Sequence, residues 1–181
     1  MTKPRIRTCA AICAAAVVAG VGGALAFIYS GVFDFRATVP HNPLVGWALH
    51  QTYENSLDRR TEDLPIPAKL ESEANIQAGA RFYAAHCTAC HGEPGKPLDP
   101  IGRGIYPQAP TLLKASRNNH PNEVFYVAKY GVKMTAMPAF GNSFADKDLW
   151  TVAAFLHAER GIEPGDFTAL VAAPAVAPAA K

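Results

Sequence analysis

The sequence predicts an all-α chain with an N-terminal transmembrane helix, and three observations lead to this prediction. Residues 8–33 form an apolar run without a charged side chain. In two later segments, 72–87 and 146–159, apolar residues recur about every 3.6 positions, as they do on one face of an amphipathic helix. The chain shows no βαβ pattern of alternating strands and helices, and its connecting segments are rich in glycine and proline.

Composition divides the chain into four segments. Its 181 residues have room for one compact domain with appendages. We predict an N-terminal membrane anchor or uncleaved signal over residues 1–35, a connector over 36–71, a compact domain over 72–166 and a disordered tail over 167–181. The tail prediction rests on a low-complexity sequence of alanine and proline.

Positive and negative charges are nearly balanced. The chain has 17 Lys and Arg against 15 Asp and Glu. Three of the basic residues, Lys3, Arg5 and Arg7, precede the apolar run, which leaves 14 basic against 15 acidic residues after it. This balance predicts no strongly basic face, and therefore no nucleic-acid partner.

The apolar run is long enough to cross a membrane. As a helix, residues 8–33 would rise about 39 Å, whereas a hydrocarbon core is about 30 Å thick. Because basic residues precede the run, the positive-inside rule places the N-terminus in the cytoplasm and the rest of the chain across the membrane. The alternative is a cleavable signal peptide ending in Ala24-Leu25-Ala26. We favour a retained single-pass anchor, since the apolar run continues as far as Phe33.

The connector is predicted to contain a short amphipathic helix. Pro40 and Pro43 bracket a turn, and apolar residues then recur at helical spacing between Leu44 and Leu57. The compact domain follows with a helix that starts at Ser72. Its apolar stripe consists of Ile76, Gly79, Ala80, Tyr83 and Cys87. A glycine in this stripe costs up to about 1 kcal/mol relative to alanine, and so indicates close contact with another helix.

The motif C-x-x-C-H stands at the end of this helix, as Cys87, Thr88, Ala89, Cys90 and His91. Residues three apart lie on the same face of a helical turn, so both thiols can reach one edge of a porphyrin. C-x-x-C-H is the signature of covalent attachment of a c-type haem. We therefore predict haem c bound through Cys87 and Cys90, with His91 as a ligand of its iron.

Two other chemistries use a C-x-x-C pair. A thioredoxin-like redox pair belongs beside a βαβ pattern, which this sequence lacks. A zinc site would need two further ligands. Since Cys9 and Cys13 lie in the apolar run, His120 and His157 would have to serve. Both alternatives are less favoured than haem attachment.

After the motif, residues 93–112 are predicted to form an ordered loop around the cofactor. The loop has little periodicity and many prolines and glycines, but it carries apolar residues that need a surface to cover. We expect one of its backbone carbonyls to accept the second ring N–H of His91. Two helices follow, one opened by Pro121 and the final one over about 146–159.

Two methionines, Met134 and Met137, lie in the loop between those helices. A thioether opposite His91 would give His/Met-ligated iron. Methionine elsewhere is usually core filler, but this loop has no helical periodicity. We predict Met137 as the second iron ligand, because Pro138 fixes the backbone after it. Met134 is the runner-up, with a more favoured role in lining the pocket.

Together these motifs resemble the class I mono-haem c-type cytochromes of the bacterial, membrane-anchored type. Gly79 and Tyr83 match a glycine and an aromatic residue that precede the first haem cysteine in that family, and Met137-Pro138 matches its methionine loop. The stretches GVKMTAMPAFG and TVPHNPLVGW are similar to anchored cytochromes associated with periplasmic dehydrogenases.

The resemblance implies the cytochrome c fold, in which three to four helices wrap around one covalently bound haem. It also implies that the first and last helices of the domain cross, with Gly79 and Tyr83 near Leu149 and Phe155. The implied iron ligands are His91 and Met137.

The expected function is that of a periplasmic single-electron carrier rather than an enzyme. Low-spin His/Met iron has no open position for a substrate. The carrier would link a donor dehydrogenase to a membrane respiratory acceptor, such as an oxidase or another cytochrome, or be a subunit of either. Four lysines could steer an acidic partner to the haem edge: Lys96, Lys114, Lys129 and Lys133. The alternative is a haem-based sensor or small haem enzyme with a labile sixth ligand.

Overall fold

The computed structural model describes residues 3–174, and their side chains from residue 7 onward. It divides them into two compact units, one ending at Val39 and the other beginning at Pro40. The first unit contains helix α1, Lys3–Ser30. Within it, Arg7–Ser30 has a mean hydropathy of 2.3 over its most apolar window, so this segment is long and apolar enough to cross a membrane. A signal sequence would share these properties.

The second unit is built from helices and loops, and the described residues contain no strand. The all-α prediction is therefore confirmed. Its helices are α2 (Pro43–Thr61), α3 (Glu73–His86), α4 (Thr88–His91), α5 (Pro100–Arg103), α6 (Pro121–Tyr130), a 3-10 turn (Phe140–Asn142), α7 (Asp146–Ala158) and α8 (Pro164–Ala172).

Helices α3 and α7 cross at Gly79, as the resemblance implied. A Cβ atom at Gly79 would lie 2.0 Å from the carbonyl oxygen of Thr151 and 2.8 Å from Cβ of Phe155. Only glycine lets the two backbones approach this closely. Next to the crossing, Tyr83 and Phe155 are fully buried, with ring centroids 5.6 Å apart. This contact holds the end of α3, and with it the C-x-x-C-H motif, against α7.

Helix α3 begins where the sequence predicted it, directly after Ser72. The side-chain oxygen of Ser72 accepts a hydrogen bond from the backbone N–H of Asn75 at 3.3 Å, which caps α3. Helix α6 packs on α7 through stacked rings of Phe125 and Trp150, whose centroids are 4.1 Å apart. Helix α2 is tied to α6 where Asn122 Nδ2 donates to the carbonyl oxygen of Thr61 at 2.7 Å.

The prediction that the ordered domain ends at residue 166 is wrong. Residues Pro164–Ala172 form α8, so α7 is not the final helix. Phe167 is 2% exposed, and its ring packs on Tyr83 at 6.2 Å and on Phe155 at 6.0 Å between centroids. Burial of this one aromatic side chain orders a segment whose composition otherwise indicates disorder. The rest of the predicted tail, residues 175–181, lies outside the described residues.

Candidate haem-binding site

The C-x-x-C-H motif forms a single helical turn at the end of α3. Backbone N–H groups of Cys90 and His91 both donate to the carbonyl oxygen of Cys87, at 3.2 and 2.9 Å. Gly92 ends the turn with a φ of +83°, which favours glycine. The hydroxyl of the buried Tyr83 donates to the carbonyl oxygen of Gly92 at 2.7 Å and so fixes the turn to the core.

His91 is oriented by a backbone carbonyl. Its Nδ1 atom lies 2.8 Å from the carbonyl oxygen of Pro110. Because a carbonyl only accepts hydrogen bonds, Nδ1 carries the hydrogen and Nε2 is left with a free lone pair. Burial lowers the pKa of His91, the bond to Pro110 opposes this, and Arg117 adds to the lowering. The expectation of a carbonyl partner from this loop is confirmed, and a neutral imidazole with one nitrogen free suits a metal ion.

Polar contacts that the sequence did not indicate hold this loop in place. Gln108 Nε2 donates to the carbonyl oxygen of Gly102 at 2.8 Å. On the other side of Pro110, Nδ2 of the buried Asn119 donates to the carbonyl oxygens of Leu112 and Leu156, both at 2.8 Å. The bond from Asn119 to Leu156 joins residues 37 positions apart, and none of the three bonds follows a helical or strand period that the sequence could reveal.

The same loop also contacts the motif and the connector. A Cβ atom at Gly102 would lie 2.5 Å from the carbonyl oxygen of Ala89, so α5 packs directly against the motif turn. The backbone N–H of His41 donates to the hydroxyl of Tyr106 at 2.7 Å, and the two rings meet edge to face. The loop is therefore ordered, as predicted, and it contacts the motif turn, the connector and Asn119.

The thiol of Cys87 is poorly suited to the two alternative chemistries. Burial raises its pKa to about 12, and the nearby Cys90 adds to the effect. This raised pKa disfavours the thiolate that disulfide exchange requires. In the described part of the chain, no three His, Cys, Asp or Glu side chains come together as metal ligands. His120 instead contacts Asn118, and His157 pairs with Glu71.

The methionine loop is closed by its own hydrogen bonds. The backbone N–H of Val132 donates to the carbonyl oxygen of Met137 at 3.1 Å. The backbone N–H of Met137 donates to the hydroxyl of Thr135 at 3.1 Å. That hydroxyl donates to the carbonyl oxygen of Val132 at 2.8 Å. Gly131 has a φ of +66°, and a Cβ atom there would lie 2.7 Å from the carbonyl oxygen of Met137. The loop therefore holds the backbone of Met137 in one conformation.

Met137 and Met134 differ in exposure. The side chain of Met137 is half-buried, whereas Met134 is 90% exposed and has a φ of +60°. Met134 thus lies at the surface in the structure, which is not the pocket-lining position expected from the sequence. The difference favours Met137 as the candidate thioether ligand.

An aromatic cluster connects the methionine loop with the helix that precedes the motif. Phe82 and His86 belong to α3, and Phe140 and Phe144 follow Met137. Their ring centroids lie 4.8 Å apart for Phe82–Phe144, 4.9 Å for His86–Phe144 and 5.9 Å for Phe82–Phe140. No local pattern in the sequence indicates this cluster, because its rings come from different elements.

Of the four lysines expected around the haem edge, two form ion pairs within the chain. Lys96 pairs with Glu93 and Lys129 with Asp146, both at 2.7 Å. Two of the four lysines therefore have acidic partners within the chain, which weakens the case for a basic docking face.

Taken together, the donor set fits a c-type haem. Two thiols lie on one helical turn, the adjacent imidazole has a free nitrogen, and a thioether is held by a rigid loop packed on the same helix through aromatic rings.

Part of the chain matches a known family. Residues 74–156 match the family described as cytochrome c oxidase, cbb3-type, subunit III. This match includes the motif, the His91 loop and Met137, and it ends before α8.

Two cytochromes c6 are similar to about half of the chain. The protein from Gracilaria tenuistipitata var. liui is 30% identical over 88 residues, which are 49% of this chain and 76% of the relative. The protein from Bumilleriopsis filiformis is 31% identical over 87 residues, which are 46% of this chain and 90% of the relative.

A longer similarity involves part of a larger protein. Quinohemoprotein alcohol dehydrogenase ADH-IIG from Pseudomonas putida is 27% identical over 142 residues, which are 77% of this chain. They are 18% of the dehydrogenase, so this chain spans less than a fifth of its length. No solved structure matches the chain significantly.

Proposed function

Because the chain belongs to the mono-haem c-type cytochromes, which carry covalently bound haem c and transfer electrons, we propose that it is a membrane-anchored periplasmic electron carrier. In this proposal Cys87 and Cys90 attach the haem, and His91 and Met137 bind its iron. The hydrogen bond between His91 Nδ1 and the Pro110 carbonyl, at 2.8 Å, carries the proposal, since it leaves Nε2 free as a ligand.

The proposed ligands suit electron transfer without chemistry on a substrate. When bound, the haem supplies a one-electron couple at its iron. His91 and Met137 are both neutral ligands, and a thioether favours the reduced state. The hydrogen bonds of the methionine loop hold the backbone of Met137, so little rearrangement is expected between oxidation states. If His91 and Met137 both bind the iron, the haem would have no open position for a substrate.

The ligand assignment can be tested by NMR of the reduced full-length protein with labelled methionine methyl groups. A methyl group held over the centre of a porphyrin is shifted far upfield by the ring current. We expect one such signal, which disappears in Met137→Leu and remains in Met134→Leu. Retention of the signal in Met137→Leu would contradict the assignment, and its loss in Met134→Leu would assign the ligand to Met134.

The proposed location is the inner membrane, with α1 as a single span and the haem domain in the periplasm. Support comes from the apolar segment Arg7–Ser30 and from the basic residues before it. The mass of the purified protein, with one haem included, distinguishes an anchor from a signal peptide. We expect the mass of a chain that retains residues 8–33 and a protein that stays with membranes after alkaline carbonate washing. A chain beginning after Ala26 would instead show cleavage.

We further propose that the carrier links a dehydrogenase to a membrane respiratory acceptor, either as a separate protein or as a subunit. Two similarities support this: one to part of a quinohemoprotein alcohol dehydrogenase, the other to the family of cbb3-type oxidase subunit III. The test mixes the purified protein with each type of enzyme. We expect rapid reduction by such a dehydrogenase and rapid oxidation by such an oxidase, and a protein that exchanges electrons with neither would contradict the proposed role.

A further inference from the structure

The first half of α2 is an exposed apolar helix end. Every residue from Pro43 to Thr52 is exposed except Gly46, which is half-buried. Packing against the rest of the domain begins at Tyr53 and continues through the buried Leu57. The four large apolar side chains of this half are Leu44, Val45, Trp47 and Leu49, with exposures of 69%, 48%, 63% and 53%. We call these four residues the apolar end of α2.

Acidic side chains, lysine and arginine are absent from this part of the chain, which contains two histidines, His41 and His50. Between Arg36 and Glu54, the sequence contains no Asp, Glu, Lys or Arg. The second half of α2 is different, since it carries Glu54, Asp58, Arg59 and Arg60. The helix therefore changes along its length from an end without acidic residues, lysine or arginine to a half that carries them and packs on α6. A surface protein helix normally shows instead an apolar face along its whole length.

We propose that the apolar end of α2 lies in the interfacial region of the lipid bilayer that α1 spans. This inference rests on the membrane anchor of the proposed function. Twelve residues, 31–42, separate the end of α1 from the start of α2, and such a segment can extend at most about 43 Å. This length sets an upper limit on the distance between the start of α2 and the membrane surface, and it leaves the apolar end of α2 free to reach that surface.

The chemistry of the four side chains favours lipid over water. Tryptophan is enriched where hydrocarbon meets the lipid headgroups, and leucine and valine gain by entering the acyl region. Most of the stability of a protein helix comes from packing of its apolar side chains, and residues 43–52 have little such packing within the described residues. Since residues 37–53 carry no Lys or Arg, the contact does not depend on anionic lipids.

The experiment measures where spin labels lie in the full-length holoprotein, with a single copy in each lipid nanodisc. Labels are placed on Leu44→Cys and Trp47→Cys in a background with Cys9→Ala and Cys13→Ala. Asn55→Cys, on the exposed polar half of the same helix, is the matched control. Native Cys13, kept in a Cys9→Ala chain, reports on the span. Each label is tested for collision with oxygen, which concentrates in lipid, and with a water-soluble nickel chelate.

We expect the ratio of oxygen to nickel accessibility to be several-fold higher at positions 44, 47 and 13 than at position 55. If positions 44 and 47 match position 55 while position 13 lies in lipid, the inference is wrong and the anchor stands. Labels at 44 and 47 shielded from both reagents would also overturn it, because they would show packing against protein or haem. A label at position 13 that meets the nickel chelate would overturn the anchor itself. An unchanged reduced spectrum confirms that each labelled variant retains its haem site.

Discussion

The Nδ1 atom of His91 lies 2.8 Å from the carbonyl oxygen of Pro110, nineteen residues further along the chain. Because of this hydrogen bond, the orientation of the imidazole depends on the loop that carries Pro110 as well as on the helix that carries the histidine. The loop is in turn held by Asn119, which is 3% exposed and donates to Leu112 and Leu156. The properties of the haem ligand should therefore respond to a side chain that does not touch it.

Replacing Asn119 by alanine should destabilise the fold and alter the haem potential. The carbonyl oxygens of Leu112 and Leu156 would lose their donor, which costs about 2 kcal/mol or more of unfolding free energy. With the loop held less firmly, the hydrogen bond from His91 to the Pro110 carbonyl should weaken. His91 would then be a less basic ligand, so the midpoint potential should rise. Denaturant unfolding and redox titration measure the two effects.

The neighbouring exposed Asn118 is the control for this prediction. Its side chain contacts His120 and Arg160 at the surface, so Asn118→Ala should change stability by no more than about 0.5 kcal/mol. Equal effects of the two substitutions would argue against a role of Asn119 in holding the loop.

Replacing Gly79 by alanine should disrupt the crossing of α3 and α7. The added Cβ would lie 2.0 Å from the Thr151 carbonyl oxygen, so a backbone must move. We expect a loss of about 2 kcal/mol or more, measured by thermal or denaturant unfolding. Gly165→Ala is the matched control, because no atom lies within 4 Å of its new Cβ and alanine is the better helix former. A Gly79→Ala protein as stable as the control would show that the helices do not meet as described.

Replacing Tyr83 by phenylalanine should lower the free energy of unfolding at neutral pH. The same variant should lose less stability than the unaltered protein when the pH rises above about 10. At neutral pH, the lost hydrogen bond to Gly92 should cost about 1 kcal/mol. Burial raises the pKa of Tyr83, with smaller effects from Cys87 and Glu93. An unfolded tyrosine loses its proton above a pH of about 10, while the folded one keeps it. The stability of the unaltered protein should therefore fall by up to about 1.4 kcal/mol per pH unit above that value.

The measurement for Tyr83 is the free energy of unfolding from pH 7 to 11. The difference between the unaltered protein and Tyr83→Phe should shrink above pH 10 and can reverse in sign. Tyr130→Phe is the control, because it removes a hydroxyl from a ring that is 56% exposed. It should change the free energy of unfolding by no more than about 0.5 kcal/mol, at pH 7 and at pH 11. Parallel pH profiles for the unaltered protein and Tyr83→Phe would contradict the assigned role of burial.

Local patterns were sufficient to predict much of this structure. The glycine in the apolar stripe of α3 indicated a close helix contact at Gly79, and the motif indicated the turn that carries His91. Helix α8 was missed because its sequence is mostly small residues, and its order depends on the burial of Phe167 against Tyr83. The partners of His91 and Asn119 could not be named, because hydrogen bonds between residues 19 and 37 positions apart leave no periodic signal.

We propose that Met137 binds the haem iron and leaves it no open position, as suits an electron carrier. Exposure of the reduced full-length protein to carbon monoxide tests it most directly, since the gas binds rapidly only where that position is open. We predict no rapid binding by the unaltered protein or by Met134→Ala, and stoichiometric binding by Met137→Ala with a lowered midpoint potential. Rapid binding by the unaltered protein would contradict the claim and favour a haem sensor or enzyme instead.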